Sequence, residues 1–237
     1  GANGHLDASE HVLKLEVPTA KIDRSMGDIH PQGNPHYLLD PYNGRIVAKS
    51  IGDRLALLDP AQASTYRKNM KIFADTLDTL MFGADLVKKT GGDVLWDKEL
   101  NGTLVDYLKE NKIENVLGGW KAKTLKLKNR NIVTYHRSWT YFADRFGLNL
   151  VAELEPRPGI PTSPAHLATI LNVVKSQNVK VILVEPYFPK NPCDFVSAKT
   201  GATTVVAANM VGGQKEIKDY FTMMDYLVNN VFSVLEK

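Results

Sequence analysis

Three side chains that can bind metal ions or transfer protons follow short apolar segments in the second half of the chain. His136 follows Ile-Val-Thr-Tyr, Glu155 follows Leu-Val-Ala-Glu-Leu, and Glu185 follows Val-Ile-Leu-Val. If these segments are neighbouring parallel strands, their carboxyl ends lie at one edge of the sheet, where ligands bind in open parallel sheets. We therefore expect one imidazole and two carboxylates to converge at that edge.

A fourth candidate is His36, which lies in an Asn-Pro-His-Tyr turn in the first part of the chain. Imidazole and carboxylate together suit Zn²⁺ or Mn²⁺. The single cysteine, Cys193, leaves no Cys-based metal motif and disfavours Cu(I). Each candidate also has a structural interpretation, because a histidine in a turn or after a strand is often only hydrogen-bonded. Glu185, which precedes a proline, can equally cap a helix or pair with a cation.

Other catalytic motifs are absent from the sequence. It contains no GxGxxG or GxxxxGK[ST] phosphate-binding loop, no GxSxG nucleophile elbow and no HExxH zinc motif. Ser138, although close to His136 in sequence, has no oxyanion-stabilising signal beside it. The sequence thus suggests no nucleophile, although the absence of these motifs leaves an enzyme open.

The composition is that of an ordinary globular protein. The 237 residues are 43% hydrophobic, and 29 basic against 26 acidic residues give a net charge of +3. That charge is too small to indicate a nucleic-acid partner. No run approaches the roughly eighteen apolar residues of a membrane span. The first ten residues have no basic and apolar leader pattern, so we expect no signal peptide within this sequence.

The first half of the chain predicts two helices after a turn-rich start. Asp40 and Pro41 have the types expected at the cap and first position of a helix, on which Val47, Ile51, Leu55 and Leu58 share a face. A second apolar repeat predicts a helix over residues 60–82, about 33 Å long at 1.5 Å per residue. Such a helix could act as a rigid strut between two lobes.

Beyond residue 131, short β-branched segments alternate with helical patterns. We predict strands at 132–135, 150–154, 181–184 and 203–208, separated or followed by helices at 138–146, 164–177, 190–199 and 216–235. This alternation is typical of an α/β fold, in which helices cover both faces of a parallel sheet.

Four ordered motifs carry a resemblance to a known family. They are NPHYLLDP (34–41), VTYHRSWTYFADRFGL (133–148), EPRPGIPTSPAHL (155–167) and VEPYF (184–188). Together they resemble the substrate-binding proteins of bacterial zinc/manganese ABC importers, the cluster A-I or TroA/ZnuA-like group. The resemblance implies two (β/α) lobes with parallel sheets, joined by one long linker helix, with a metal ion bound in the cleft between them.

The resemblance also implies a set of metal ligands. His36 and His136 match the second and third ligands of the family. The first family ligand is expected upstream of residue 1, and the usual late Asp has no match in MVGG (210–213). Glu185 is left as the fourth ligand or as a partner of the ligands, and Glu155 is expected to orient the site. His30 is interpreted as part of an auxiliary loop that collects the metal.

This family interpretation divides the chain into four segments. They are a partial N-terminal lobe (1–58), the linker helix (59–83), a basic insertion (84–130) and a C-terminal (β/α) lobe (131–237). A solvated charged face is the favoured interpretation of the five cations in residues 121–130. An N-terminal lobe lacking its first strands would expose apolar helix faces. We therefore expect the fragment either to self-associate or to rebuild that lobe around a shorter sheet.

The expected function is extracytoplasmic capture of Zn²⁺, favoured over Mn²⁺, and its delivery to an ABC permease in the membrane. The location would be periplasmic or otherwise extracytoplasmic, with a lipid anchor as one option, and no small organic substrate is expected. Because ligating histidines must be neutral, we expect binding to weaken below about pH 6.5. The alternatives are a metal-dependent hydrolase with Glu185 as general base and a surface adhesin of the same family.

Overall fold

The computed structural model describes residues 2–19, 30–127 and 130–237. The chain forms two compact units. Unit 1 comprises Gly1–Leu13 and Asp40–Lys123, and unit 2 comprises Lys14–Leu39 and Thr124–Lys237. His36 thus falls in the same unit as His136, although the sequence placed it in the segment 1–58. The predicted segment boundaries, with their lobe and linker roles, stay predictions.

Unit 1 begins with two helices that pack closely together. Helix α1 spans Pro41–Leu58, and the Asp40 carboxylate caps it by accepting a hydrogen bond from the Tyr42 amide at 2.9 Å. Helix α2 spans Ala63–Phe82 and follows a 3-10 turn. A Cβ atom at Gly52 would lie only 3.1 Å from the Met70 side chain, so the small residue permits the close approach. Both predicted helices are confirmed.

The large aliphatic residues of α1 do not form its buried face. Gly44, Gly52 and Ala56 are buried, whereas Ile51 and Leu55 are 42% and 39% exposed. The sequence placed Ile51 and Leu55 on one apolar face of this helix, and in the structure both are exposed. Whether that face associates with a second copy stays a prediction.

Four short helices complete unit 1, and the weak periodicity of their sequence predicted none of them. Trp96, at the centre of this group, donates its indole hydrogen to Asp78 of α2 at 2.7 Å, and Arg45 of α1 lies 3.0 Å from the same carboxylate. Burial raises the pKa of Asp78, and the contacts with Trp96 and Arg45 oppose that rise. The helices are α3 (Ala84–Thr90), α4 (Gly92–Leu100), α5 (Leu104–Glu110) and α6 (Gly119–Leu125), which extends two residues beyond the unit 1 boundary.

One cation of the basic run does not lie on the solvated face that the sequence suggested. Lys121 is 7% exposed and forms an ion pair with Glu99 at 2.5 Å. Because both groups are buried, each needs the other to offset its desolvation. Lys121 therefore forms a buried ion pair, which its position in a basic run of the sequence did not predict.

Unit 2 contains a parallel four-stranded sheet with the strand order β2-β1-β3-β4. All four predicted strands are confirmed, and the third has the predicted bounds. This is the one sheet within the described residues, so the α/β class is confirmed while a second (β/α) lobe is not evident. The strands are β1 (Arg130–Thr134), β2 (Leu148–Glu153), β3 (Val181–Val184) and β4 (Thr203–Val206).

Helices cover both faces of this sheet, as predicted. On one face, the buried side chains of α8 and α9, including Ile170 and Val196, pack against Val133 and Ile182 of the strands. On the other face, α7 and α10 pack together through aromatic rings, because Phe142 and Phe146 of α7 both contact Phe232 of α10. The four helices are α7 (Thr140–Phe146), α8 (Pro164–Ser176), α9 (Asn191–Thr200) and α10 (Tyr220–Leu235).

The helix boundaries in unit 2 follow their capping residues. The Ser163 hydroxyl accepts a hydrogen bond from the His166 amide, so α8 begins at Pro164 as predicted. Helix α10 begins at Tyr220, four residues later than predicted, because Asp219 and Thr222 form a capping box. Across the described ranges, no helix combines the length and apolar character that crossing a lipid bilayer requires.

Candidate metal centre

The carboxyl edge of the sheet brings His136 and Glu155 into contact. His136 comes just after β1, Glu155 comes just after the neighbouring β2, and Nδ1 of the imidazole is hydrogen-bonded to Oε2 of the carboxylate. The other oxygen, Oε1, accepts from the amide of Gly159 at 2.8 Å. A carboxylate can only accept, so the proton of a neutral His136 ring resides on Nδ1. The lone pair on Nε2 is then available to a metal ion.

His36 lies beside His136 within unit 2. The centroids of the two rings are 6.1 Å apart and their planes meet at 82°. Two imidazoles bound to one zinc ion at the tetrahedral angle, through Zn–N bonds of about 2.0–2.1 Å, have centroids about 5.2 Å apart. The two rings are thus about 0.9 Å farther apart than in a tetrahedral zinc site, and a small approach of the side chains would let both bind one ion.

The environment keeps His36 neutral. Burial first, and then the neighbouring His136 and His30, together lower the pKa of His36 to about 4, while Glu16 opposes them. A metal ion can bind only the unprotonated ring nitrogen. At pH 7, therefore, His36 needs to lose no proton before it can act as a ligand.

Asn34 fixes the turn that carries His36. Its Oδ1 accepts from the backbone amide of His36 at 3.0 Å, and its Nδ2 donates to the carbonyl of Arg137 at 2.8 Å. The Tyr141 hydroxyl donates to the Asn34 carbonyl at 3.0 Å. These bonds join the His36 turn to the segment that follows His136, so the proximity of the two imidazoles has a structural cause.

Glu16 also joins these two segments, and sequence reasoning missed it. Its carboxylate accepts from Asn34 Nδ2 at 2.9 Å, from Arg137 Nε at 2.9 Å and from Thr140 Oγ1 at 3.1 Å. Glu16 lies between Leu15 and Val17 in an irregular segment and belongs to no recognisable motif. No sequence signal would have identified it.

Glu185 is fully buried after β3, and its carboxylate has no partner in hydrogen-bond geometry within the described residues. Burial raises the pKa of Glu185; Ser138, His136 and Trp139 lie close enough to oppose that rise. The Ser138 hydroxyl and the Trp139 indole nitrogen are buried donors beside this carboxyl group, and they too make no hydrogen bond of regular geometry within the described residues. An unpaired buried carboxyl group is unfavourable, and a cation reaching it would relieve that cost.

The three predicted ligands do not form a closed metal cage. His36 and His136 are brought together, and Glu185 is near enough to His136 for their charges to interact. In the described portion of the chain, no group of three or more His, Cys, Asp or Glu side chains is arranged to hold a metal ion. The structure thus contains a histidine pair beside an unpaired carboxyl group, and their role as ligands stays a prediction.

Comparison with protein families gives a match over most of the chain. The profile of a family described as "Zinc-uptake complex component A periplasmic" matches residues 2–83 and 109–233. The match leaves out residues 84–108, which hold α3, α4 and most of α5. Both histidines and Glu185 lie inside the matched ranges.

Curated relatives are zinc-uptake and zinc-binding proteins. The high-affinity zinc uptake system protein ZnuA of Brucella abortus is 24% identical over 205 residues, which cover 85% of this chain and 48% of that protein. The zinc-binding protein AdcA of Streptococcus pyogenes is 24% identical over 195 residues, covering 81% of this chain and 31% of AdcA. The chain therefore spans half or less of the length of these relatives.

Solved structures share the fold. A crystal structure of ZnuA superposes with a TM-score of 0.67 at 18% identity, covering 97% of this chain and 68% of that one. The laminin-binding protein Lmb of Streptococcus agalactiae gives 0.68 at 21% identity, covering 97% and 70%. The protein FpvC of Pseudomonas aeruginosa with Mn²⁺ gives 0.57 at 22% identity, covering 86% and 61%.

Proposed function

Because the chain belongs to the family of periplasmic zinc-uptake components, we propose that it captures a divalent transition-metal ion outside the cytoplasm and delivers it to an ABC permease. Members of this family bind their substrate without transforming it, so the chain is not an enzyme. This excludes the metal-dependent hydrolase considered from the sequence. Adhesion is described for Lmb, but at 21% identity that likeness concerns the fold alone.

One observation carries the proposal: the ring centroids of His36 and His136 lie 6.1 Å apart, about 0.9 Å more than in a tetrahedral zinc site, so a small approach of the rings would let both bind one ion. His36 is neutral at pH 7, and the contact with Glu155 leaves Nε2 of a neutral His136 free to bind. Two neutral nitrogen ligands favour Zn²⁺ over Mn²⁺, which prefers more oxygen ligands. Zinc is therefore the proposed substrate, with manganese as the second choice.

Glu185 is the proposed third ligand. Its carboxyl group is buried, lacks a hydrogen-bond partner among the described residues and interacts electrostatically with His136. Burial raises the pKa of this carboxyl group, and a bound cation would lower it again. In this proposal Glu155 stays outside the ligand set, since its oxygens are engaged by His136 and Gly159.

The proposed role includes a two-lobed fold joined by α2. Support comes from the similarity to ZnuA, which is longer than this chain. The described residues show a (β/α) sheet in unit 2 and helices in unit 1. The second (β/α) lobe, the permease partner, a lipid anchor and the auxiliary role of His30 all stay predictions.

Elemental analysis tests the proposal directly. The protein, together with its His36→Ala and His136→Ala variants, is incubated with Zn²⁺, dialysed and measured for bound zinc. We expect about one ion per chain in the unaltered protein and a loss of at least tenfold in affinity for each variant. His11→Ala is the matched control, because His11 is exposed and belongs to unit 1. Absence of zinc from the unaltered protein, or equal loading of all variants, would overturn the proposal.

A further inference from the structure

Glu16 connects the two segments that carry the histidines. Its Oε2 accepts from Asn34, two residues before His36, and its Oε1 accepts from Arg137, the residue after His136. Thr140 donates a third hydrogen bond at 3.1 Å. One carboxylate therefore links a turn near residue 36 to a segment about 100 positions later in the chain.

The backbone around Glu16 is held in an unusual conformation. Glu16 has φ 55°, in the left-handed region that non-glycine residues seldom adopt. The preceding residue, Leu15, donates its amide to the Tyr141 hydroxyl at 3.0 Å and accepts from the Asn34 amide at 2.9 Å. Such a conformation persists only where surrounding contacts determine it, and here those contacts involve the same two segments.

We propose that Glu16 is a positioning residue for metal capture, which holds the turn bearing His36 against the segment bearing His136 before the ion arrives. This inference rests on the proposed function. Without the link, the His36 turn would have to become ordered during binding, and that loss of freedom would reduce the affinity. With the link, both imidazoles are already near one position, and the ion does not have to assemble them.

Substitution of Glu16 by glutamine tests this role. Glu16→Gln keeps the size of the side chain but places an NH₂ donor among the donors of Asn34, Arg137 and Thr140. We expect Zn²⁺ affinity, measured by competition with a chromogenic chelator, to fall by about 10- to 100-fold, the range seen for residues that orient metal ligands. The unfolding midpoint of the metal-free variant is measured in parallel to show that the protein is folded.

Glu153→Gln is the matched control. The Glu153 carboxylate lies 3.7 Å from the same Arg137 Nε, so the variant also removes a negative charge beside Arg137. We expect its affinity to stay within about threefold of that of the unaltered protein. An equal loss in Glu153→Gln and Glu16→Gln would show that charge alone matters and would overturn the positioning role.

A double-mutant cycle with His36 separates positioning from a general structural effect. If Glu16 acts through His36, adding Glu16→Gln to His36→Ala weakens zinc binding by less than about twofold. If Glu16 only stabilises the fold, the same fold-loss appears in both backgrounds and the inference is wrong. Should Glu16→Gln fail to fold, Glu16→Asp replaces it in the cycle, because it keeps the charge and shortens the reach.

The outcomes also distinguish this inference from the proposed function. If neither the unaltered protein nor any variant binds zinc, or if His136→Ala binds as tightly as the unaltered protein, the proposed function fails and this inference with it. If His136→Ala loses binding while Glu16→Gln stays within threefold of the unaltered protein, only the role of Glu16 is overturned.

Discussion

At the scale of single residues, the environment of His36 lowers the pH at which its imidazole becomes protonated. Free imidazole has a pKa of about 6.5, and the sequence alone predicted weaker metal binding below that value. In the folded chain, burial and the neighbouring His136 lower the pKa of His36 to about 4. His36 therefore remains able to bind a metal ion at pH values where an exposed histidine would already be protonated.

The same shift predicts a pH dependence of stability in the metal-free protein. Between pH 6.5 and 4 the unfolded chain binds a proton at His36 that the folded chain does not, so the free energy of unfolding falls as the pH falls. A shift of this size corresponds to at most about 3 kcal/mol, and partial exposure of the ring reduces the expectation to about 1–2 kcal/mol. Denaturant unfolding at pH 7.5 and 4.5 should show a smaller decrease for His36→Gln. Equal decreases in both proteins would contradict this account.

For Glu185 we expect one substitution to change stability and zinc binding in opposite directions. Replacing Glu185 with methionine removes a buried carboxyl group that has Ser138 and Trp139 beside it but makes no hydrogen bond of regular geometry among the described residues. We expect Glu185→Met to raise the free energy of unfolding of the metal-free protein by about 1–3 kcal/mol and to weaken zinc binding. Urea denaturation and chelator competition measure the two effects.

Glu99→Met provides the control of opposite sign. Glu99 is also buried, but it is paired with Lys121 at 2.5 Å. Removing the Glu99 carboxylate breaks this ion pair of the buried Lys121 ammonium group, so we expect Glu99→Met to lower the free energy of unfolding by about 1–3 kcal/mol. If both variants lose stability to a similar extent, then Glu185 is stabilised by contacts other than a metal ion.

The candidate residues were predictable to different degrees. His136, Glu155 and Glu185 could be located from the sequence, because strand ends in a parallel sheet share an edge. The pairing of His36 with His136 required the family resemblance, since nothing local in the sequence relates positions 36 and 136. Glu16 was not predictable at all, because its hydrogen-bond partners are between 18 and 124 positions away.

At the scale of secondary-structure elements, local signals located some helices and missed others. Helices α1 and α8 begin where an Asp-Pro or Ser-Pro pair predicted them, because capping depends on the adjacent residues. Helices α3 to α6 have only seven to nine residues each, too few to be stable alone. They are maintained by tertiary contacts such as that of Trp96 with Asp78, which a periodicity analysis does not detect.

The start of α4 offers a test of those contacts. Alanine normally favours a helix over glycine by about 1 kcal/mol, but a Cβ atom at Gly92 would collide with the carboxylate of Asp78. Because that carboxylate is held by Trp96 and Arg45, we expect Gly92→Ala to destabilise the protein by about 1–3 kcal/mol. Gly4→Ala, with no atom within 4 Å of the added Cβ, should be close to neutral. A stabilising effect of Gly92→Ala in thermal unfolding would show that Asp78 moves aside without cost.

At the scale of the whole molecule, the histidine pair belongs to one compact unit. Residues 14–39 are irregular in sequence pattern, and the sequence grouped them with the helices that follow. In the structure they form part of unit 2, where Asn34 and Tyr141 link the His36 turn to α7 and the residues before it. A chain that spans only part of its longer relatives therefore contains both proposed nitrogen ligands within one unit.

This placement predicts where zinc should stabilise the chain. An ion bound by His36 and His136 should make local opening of the segments 34–39 and 135–139 less favourable, because a ligand stabilises the folded state that binds it. Hydrogen–deuterium exchange with and without Zn²⁺ should show slower amide exchange in those segments and no change at 92–110, which lies in unit 1. His136→Ala should remove the protection. Protection at 92–110 equal to that at 34–39 would instead mean that the ion is bound by groups of unit 1, against the assignment of His36 and His136 as its ligands.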